Sequence, residues 1–414
     1  MAHRKNYVSV TAAYWAFTLT DGALRMIVLL HFHRLGYTPL DLAFLFLLYE
    51  AMGIVTNLFG GWVGAKFGLN KTLFAGLGLQ IFALLMLSGM SVDWPIAVSV
   101  SYVMAAQALS GIAKDLTKMS SKSAVKLVVA DDHPGLLFKW IALLTGSKNA
   151  LKGVGFLIGG LLLTWLGFAP ALWAMAGLLA VTLALVLSMI TDDLGKARQK
   201  ISGRDLFSKT REVNYLSAAR IFLFASRDVW FVVGLPVFLY SQFGWSFDQV
   251  GGFLAVWVIG YGIVQAMVPA LLGHELQAAG GARAAKVWGG ILSVIPALIA
   301  LGLTPDVVRV FDATVAPETI APFVLIGGLL IFGMVFAINS ALHSYLIVAY
   351  SDQDKVALNV GFYYMANAIG RLGGTLLSGL VFQYAGLLAC LWVSAGLVLL
   401  AALLTMPLSG RASA

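Results

Sequence analysis

The sequence predicts an all-α membrane protein with twelve transmembrane helices arranged as two six-helix halves. Three observations predict it. Of 414 residues, 60% are hydrophobic and only 11% are charged, and the mean hydropathy is +0.89, a balance outside the range of ordinary soluble domains. Apolar runs of about 20 residues, the length a helix needs to cross about 30 Å of hydrocarbon, recur from end to end; a barrel would show short alternating segments instead. Finally, one substantial polar linker, 192–212, divides the chain near its middle with Lys196, Arg198, Lys200, Arg204, Lys209 and Arg211. It separates an N-terminal half, 1–191, from a C-terminal half, 213–414.

Taken in order, the spans differ most in what they carry besides apolar residues. The first, 7–33, places Tyr14, Thr18, Asp21 and Arg25 on one helical face. Asp21 and Arg25 set it apart from a cleavable signal sequence, so a retained helix is expected. The second, 39–65, has Glu50, and the third, 70–92, has no ionisable residue in its interior. In the fourth, 95–120, Gln107, Gly111, Lys114 and Lys118 share a face, with Asp115 beside them. The fifth, 136–166, aligns Thr145, Lys148, Asn149 and Lys152, and the sixth, 168–190, is silent. Arg220 and Arg227 share a face of the seventh, 214–241, and Asp228 follows. The eighth, 248–272, is polar but uncharged through Trp257, Tyr261 and Gln265; the ninth, 286–303, is silent. Asn339 and His343 mark the tenth, 321–350, and Tyr364, Asn367 and Arg371 the eleventh, 356–384. The twelfth, 387–407, again has no interior charge.

Loop charge sets the expected orientation. Positive residues gather at Arg4 and Lys5, at Lys66 and Lys71, and at Arg283 and Lys286, whereas 304–319 carries Asp306, Asp312 and Glu318 against Arg309. By the positive-inside rule both termini and the central linker are expected in the cytoplasm, and a multi-pass place in a bacterial inner membrane is expected with them. The net charge of +8 is accounted for by these loops and by cations within the helices, so it calls for no nucleic acid. Cys390 is the one cysteine, which excludes an internal disulfide and a thiolate cluster. With no nucleotide loop and no His-Glu-x-x-His spacing, no enzyme activity, cofactor or metal is expected, and the chain is expected to be a monomer in the bilayer.

The halves look alike. Asp21, Gly36-Tyr37-Thr38 and Gly53-Ile54-Val55 parallel Asp228, Gly244-Trp245-Ser246 and Gly262-Ile263-Val264 at offsets of 207 to 209 residues. Asn149-Ala150-Leu151-Lys152 likewise parallels Asn367-Ala368-Ile369-Gly370-Arg371. An even number of spans per half keeps such repeats parallel. Silence at the third, sixth, ninth and twelfth spans resembles the major facilitator fold, in which every third helix faces lipid and the other eight line a central cavity. Gly155 with Gly159 and Gly370 with Gly374 are spaced for close helix packing. Gly146, Gly155 and Gly159 resemble part of that superfamily's antiporter motif, with Gly160 in place of its proline. Gly61, Lys66, Gly68 and Lys71 fit its loop motif, with Ala65 where aspartate is usual.

A lysine at the bilayer centre costs roughly 3 kcal/mol on insertion scales, so a group of buried cations needs compensation. The deep cations Arg25, Lys114, Lys148, Lys152, Arg227 and Arg371 outnumber Asp21, Glu50, Asp115 and Asp228 by two. An anionic ligand would balance them, arginine gripping phosphate or carboxylate with its planar fork and lysine adding point charge. The candidate substrate-binding set is therefore Arg25, Lys114, Lys118, Lys148, Asn149, Lys152, Arg227, Asn339, His343, Tyr364, Asn367 and Arg371. Asp21, Glu50, Asp115 and Asp228 are candidate proton-coupling groups, Asp21 and Glu50 foremost. Other readings stand beside these. Asp21 with Arg25, and Arg227 with Asp228, suit structural ion pairs; Glu50 suits a hydrogen-bonded acid, His343 a lining residue, and Lys122 and Lys126 a headgroup contact.

Four strings carry a closer likeness: YWAFTLTDGALRM from Tyr14, MAAQALSGIAKDLTKMSSKSAVK from Met104, LTGSKNALKGVG from Leu144 and ASRDVWFVV from Ala225. With them the chain resembles the ArsJ-type organoarsenical efflux permeases of the major facilitator superfamily. The resemblance implies export of 1-arseno-3-phosphoglycerate and arsenate resistance, in functional partnership with a glyceraldehyde-3-phosphate dehydrogenase that makes the ester from arsenate. The charge pattern then leads us to expect alternating access with proton antiport, Lys114, Lys148 and Lys152 holding one oxyanion and Arg227 and Arg371 the other. An organophosphate:phosphate exchanger and a non-transporting anion sensor are the alternatives.

Overall fold

The computed structural model describes the backbone of residues 2–67, 69–128, 134–189, 210–272, 278–306, 309, 317–350 and 356–408. Side chains are described over 8–57, 70–118, 120–121, 147–189, 210–268, 280–306, 309, 319–350 and 359–408. Most of the central linker and Gly68 lie outside both sets; Gly61, Ala65, Lys66, Lys122, Lys126 and Gly146 lie within the first set only.

Every regular element among the described residues is an α-helix: α1 Ala2–Arg34, α2 Pro39–Phe67, α3 Leu69–Ser88, α4 Ile96–Val128, α5 Pro134–Leu166 and α6 Phe168–Met189 in the first half. The second half has α7 Arg211–Phe231, α8 Gly234–Ser241, α9 Phe247–Leu272, α10 Ala278–Gly302, α11 Pro317–Ala349 and α12 Val356–Thr405. Eleven segments are long and apolar enough to cross a membrane, α7 and α8 counting together as one. The last, Asn359–Thr405, has 47 residues, about 70 Å of helix, and is broken at Gly386, where φ is 73°. Broken there, it is long enough for two crossings, which brings the number among the described residues to the twelve that hydropathy predicts.

Junctions follow from local chemistry. Positive φ occurs at Gly36, Gly167, Gly244 and Gly386, each between consecutive spans, a conformation that costs residues with a Cβ. Thr38 and Asp41 exchange bonds at the start of α2, Thr38 N to Asp41 Oδ2 at 3.1 Å and Asp41 N to Thr38 Oγ1 at 3.2 Å. This is a reciprocal cap on the orphan amides of the first turn. At the start of α9, 208 residues on, Ser246 N donates to Gln249 Oε1 at 2.9 Å, half of the same device. The seventh span is interrupted between α7 and α8. Pro236 has no N–H for the carbonyl one turn back, and Ser378 Oγ accepts from Val233 N and Gly234 N, both at 3.1 Å.

Burial separates the helices. In the most apolar stretch of α1, 83% of residues are enclosed, and in that of α7 with α8, 78%, against 28% in α6. Large apolar side chains are exposed along the spans whose interiors sequence leaves uncharged: Phe82 and Leu85 on α3, Val181 and Leu185 on α6, Val294 and Leu298 on α10, Leu399 and Leu403 on the second span of α12. Such surfaces suit hydrocarbon rather than water.

Chain contacts divide the molecule into two compact units. One comprises Met1–Tyr37, Phe44–Ser202 and Ser246–Ile259; the other comprises Thr38–Ala43, Gly203–Trp245 and Gly260–Ala414. Within the first, glycines bring backbones together. A Cβ on Gly22 would lie 2.6 Å from Lys152 O, and one on Gly159 2.5 Å from Ala23 O, so α1 and α5 are in contact along Gly22, Gly155 and Gly159. In the second, Gly370 meets Ile221 O and a Cβ on Gly374 would lie 2.7 Å from Asp228 Cβ, which joins α7 to α12. The spacing of these glycine pairs in sequence reports this packing.

Candidate functional site

In the first unit the polar groups gather on α1, α2, α4 and α5. Arg25 and Glu50 form an ion pair at 2.6 Å with side chains only 7% and 2% exposed. The guanidinium also lies over the rings of Phe46 and Tyr49, 5.2 and 5.4 Å from their centroids. Tyr49 OH donates to Asp21 Oδ1 at 2.6 Å. Sequence spacing alone suggests Asp21 with Arg25 as one helix-internal pair; instead α2 supplies a separate partner to each. The reason is geometric: Phe46, Tyr49 and Glu50 occupy one α2 face, and adjacent residues 49 and 50 reach two side chains one turn apart on α1.

Gly111 sets α4 against α2, since a Cβ there would lie 2.6 Å from Tyr49 O. One turn on, Lys114 Nζ sits 4.1 Å from the centroid of the Tyr49 ring. Lys118 Nζ reaches Asn57 Oδ1 at 3.0 Å and Asp115 Oδ1 at 3.6 Å, and Asp115 accepts from the Thr56 hydroxyl through its other oxygen. Lys148, Asn149 and Lys152 are part-buried on α5, Lys152 Nζ 5.8 Å from the Phe156 ring centroid. Gln107, 2% exposed, lines a narrow cleft with Asp21, Leu24, Arg25, Phe46 and Tyr49, and its Nε2 has no hydrogen-bond partner among the described residues.

The second unit holds two distinct clusters. In one, Arg227 and Arg371 share the fully buried Asp228: Arg227 Nε donates to Oδ1 at 2.6 Å and Arg371 Nε to Oδ2 at 3.4 Å. The triad ties α7 to α12 beside Gly374. In the other, Arg220, 4% exposed, donates from Nε to Asn367 Oδ1 at 3.1 Å and from Nη1 to Ser340 O at 3.2 Å. Ser340 Oγ in turn accepts from Tyr261 OH at 3.1 Å and from Gln265 Nε2 at 3.4 Å. His343, one turn along α11 from Ser340, is 2% exposed.

Of the residues singled out by sequence, Asn367 and His343 belong to the Arg220 cluster. Asn339 and Tyr364 are placed elsewhere. Asn339 Nδ2 bonds Trp288 O and Val335 O, both at 3.0 Å, toward α10, because its position on α11 is one residue short of the Ser340 face. Tyr364 packs against an apolar cluster that includes Val213, Leu216, Leu342 and Tyr363. The candidate set drawn from sequence omits two groups that the structure makes prominent, Tyr49 and Arg220. Arg220 had a usable signal, since it lies seven residues before Arg227 with no acidic residue in the turns around it. Tyr49 had none, because a tyrosine beside a glutamate in an apolar run reads equally as packing.

Comparison with known proteins agrees with this architecture. A model of the Major Facilitator Superfamily matches residues 8–311. The quinolone resistance protein NorB of Staphylococcus aureus (strain bovine RF122 / ET3-1) is 26% identical over 172 residues, which is 39% of this chain and 34% of that relative. The match thus spans about a third of the relative's length. Among solved structures, a bacterial homologue of the iron transporter ferroportin in an inward-facing state superposes with a TM-score of 0.67 at 16% identity, covering 97% of this chain and 99% of that one. A point mutant of the nucleoside transporter NupG gives 0.72 at 14% identity, covering 99% and 100%. These two likenesses establish the fold. With eleven apolar segments among its described residues, the last of them broken in two, and a family match over most of its length, the chain belongs to the Major Facilitator Superfamily of secondary membrane transporters.

Proposed function

We propose that this transporter exports a small, multiply anionic organoarsenical, 1-arseno-3-phosphoglycerate, by alternating access coupled to proton antiport. The observation that carries the reading is charge. In the first unit Arg25, Lys114, Lys118, Lys148 and Lys152 stand against Asp21, Glu50 and Asp115; in the second Arg220, Arg227 and Arg371 stand against Asp228. Both units thus hold an excess of cation within membrane helices, a balance that favours an anionic substrate. The resemblance of four long strings to ArsJ-type permeases supports the arsenate ester in particular. The partial relative NorB, named for resistance to quinolones, supports an outward direction.

Within that reading, Lys148 and Lys152 meet one oxyanion, and the partnership with glyceraldehyde-3-phosphate dehydrogenase lies in substrate supply. Asp21, held by Tyr49, and Glu50, held by Arg25, are the carboxylates through which a proton would change local charge. The test is arsenate resistance in a bacterial host lacking arsenic exporters and its own glyceraldehyde-3-phosphate dehydrogenase, with and without that enzyme supplied. Resistance that needs both proteins is expected. Resistance without the dehydrogenase points to arsenate itself and refutes the ester. Exchange of external phosphate for internal organophosphate in vesicles, with no arsenic present, would favour the exchanger instead.

A further inference from the structure

We infer that the second unit carries an oxyanion-binding site centred on Arg220, with His343 as its second polar group, separate from the Arg227, Asp228 and Arg371 triad. The inference rests on the anion-export reading and assigns one charged end of the substrate to particular atoms.

The guanidinium of Arg220 is buried, yet both protein acceptors it finds are neutral, the Asn367 amide oxygen and the Ser340 carbonyl. Of the five N–H donors of an arginine, two are used, leaving three without an acceptor among the described residues. Among those residues no carboxylate lies within ion-pair distance of it: the two acidic groups on its own helix, Glu212 and Asp228, each stand eight residues away, and Asp228 is taken by Arg227 and Arg371. Aromatic rings flank the charge, Phe224 at 4.0 Å and Tyr363 at 4.8 Å, and they offset only part of its lost hydration.

A second, independent observation points the same way. His343 is buried and its Nδ1 has no hydrogen-bond partner among the described residues. Buried polar atoms left open in this manner mark places where something else completes the bonding. The ring stands one turn from the carbonyl that receives Arg220, and the other side chains bonded to Ser340, those of Tyr261, Gln265 and Ser344, are neutral as well. A cluster with a full positive charge, spare N–H donors and no counter-charge fits an oxyanion and repels a cation. A phosphate, an arsenate and a carboxylate share this chemistry.

The competing account makes Arg220 a brace, tying α7 to α11 through Ser340 and to α12 through Asn367. The two differ in the sign of one effect. A neutral replacement of an uncompensated buried charge leaves the empty protein as stable or more so, whereas loss of a brace weakens it. The full chain, purified in detergent, would be tested by calorimetry and thermal unfolding with inorganic phosphate, glycerol 3-phosphate, lactate and uncharged glycerol. The wild-type chain should bind one or more of the anions and not glycerol; a phosphate or a lactate preference then names the end that Arg220 holds. Arg220→Gln should lose about 10- to 100-fold in affinity, as expected when charge-assisted bonds to an anion are removed, with an unchanged or higher melting temperature without ligand. Should that variant fail to fold, Arg220→Lys decides: it keeps the charge but not the fork, and a loss of about tenfold supports the site while an unchanged affinity overturns it. Wild-type affinity retained in Arg220→Gln overturns the inference alone. A wild-type chain that binds none of the anions overturns the export reading with it.

Discussion

Consider the Arg25–Glu50 pair under removal of one partner. Both groups are almost fully enclosed, 7% and 2% exposed, and their atoms meet at 2.6 Å. Taking away one member of a buried pair typically costs about 3–5 kcal/mol, because the survivor keeps its desolvation penalty without its counter-charge. Here the Phe46 and Tyr49 rings remain beside the guanidinium at 5.2 and 5.4 Å and return about 1 kcal/mol. Glu50→Leu should therefore destabilise by about 2–4 kcal/mol. Arg25→Met should fall in a similar range, since it strands the carboxylate. The double variant, which removes both charges and keeps the volume, should recover to within about 1 kcal/mol of wild type. The assay is unfolding of the purified chain by sodium dodecyl sulfate in mixed micelles, read by tryptophan fluorescence and arranged as a double-mutant cycle. Additive single effects, or a Glu50→Leu loss below about 1 kcal/mol, would refute the claim that this is a mutually dependent buried pair.

The other tests are shorter. Lys148→Ala with Lys152→Ala should abolish arsenate resistance in the dehydrogenase-supplied host while the protein reaches the membrane at normal levels; full resistance would sink the charge-balance argument. Gly370→Ala pushes a Cβ into Ile221 O and should cost about 1–3 kcal/mol, whereas Gly78→Ala, with open space around it, should cost nothing or stabilise by up to about 1 kcal/mol through helix propensity, both read as melting temperatures. Ser378→Ala leaves the amides of Val233 and Gly234 unpaired at the helix break and should cost about 1–3 kcal/mol, with faster hydrogen exchange at those two amides.

How much of this is legible in the sequence depends on the range of the interaction concerned. Spans are local, set by the hydropathy of about 20 neighbouring residues, and the predicted break at 385–386 coincides with the turn at Gly386. The kink after Phe231 is not readable from hydropathy, because the stretch stays apolar throughout and only Pro236 hints at it. Its other determinant, Ser378, lies 145 residues from Val233. Close helix packing at Gly155, Gly159, Gly370 and Gly374 is legible from spacing alone, since a missing Cβ has the same consequence whatever faces it.

Partnerships among charged residues are the least legible part, and the two units show why. Asp21 and Asp228 sit 207 residues apart in matching spans, yet Asp21 accepts a tyrosine hydroxyl from α2 while Asp228 holds two arginines, one from α12. Helical phase tells which face a side chain occupies but not which neighbouring helix that face meets. In sequence, therefore, Arg227 and Arg371 look like the anion-gripping pair, and Arg220 like an accessory on the same face. In the structure Asp228 meets the first two, and Arg220 lies among neutral acceptors. Charge counting argues for an anion whichever cation pairs with which carboxylate, because a sum is indifferent to pairing. Which cation is left to meet that anion is decided by the pairing, and it shifts the expected contact two turns along α7, from Arg227 to Arg220.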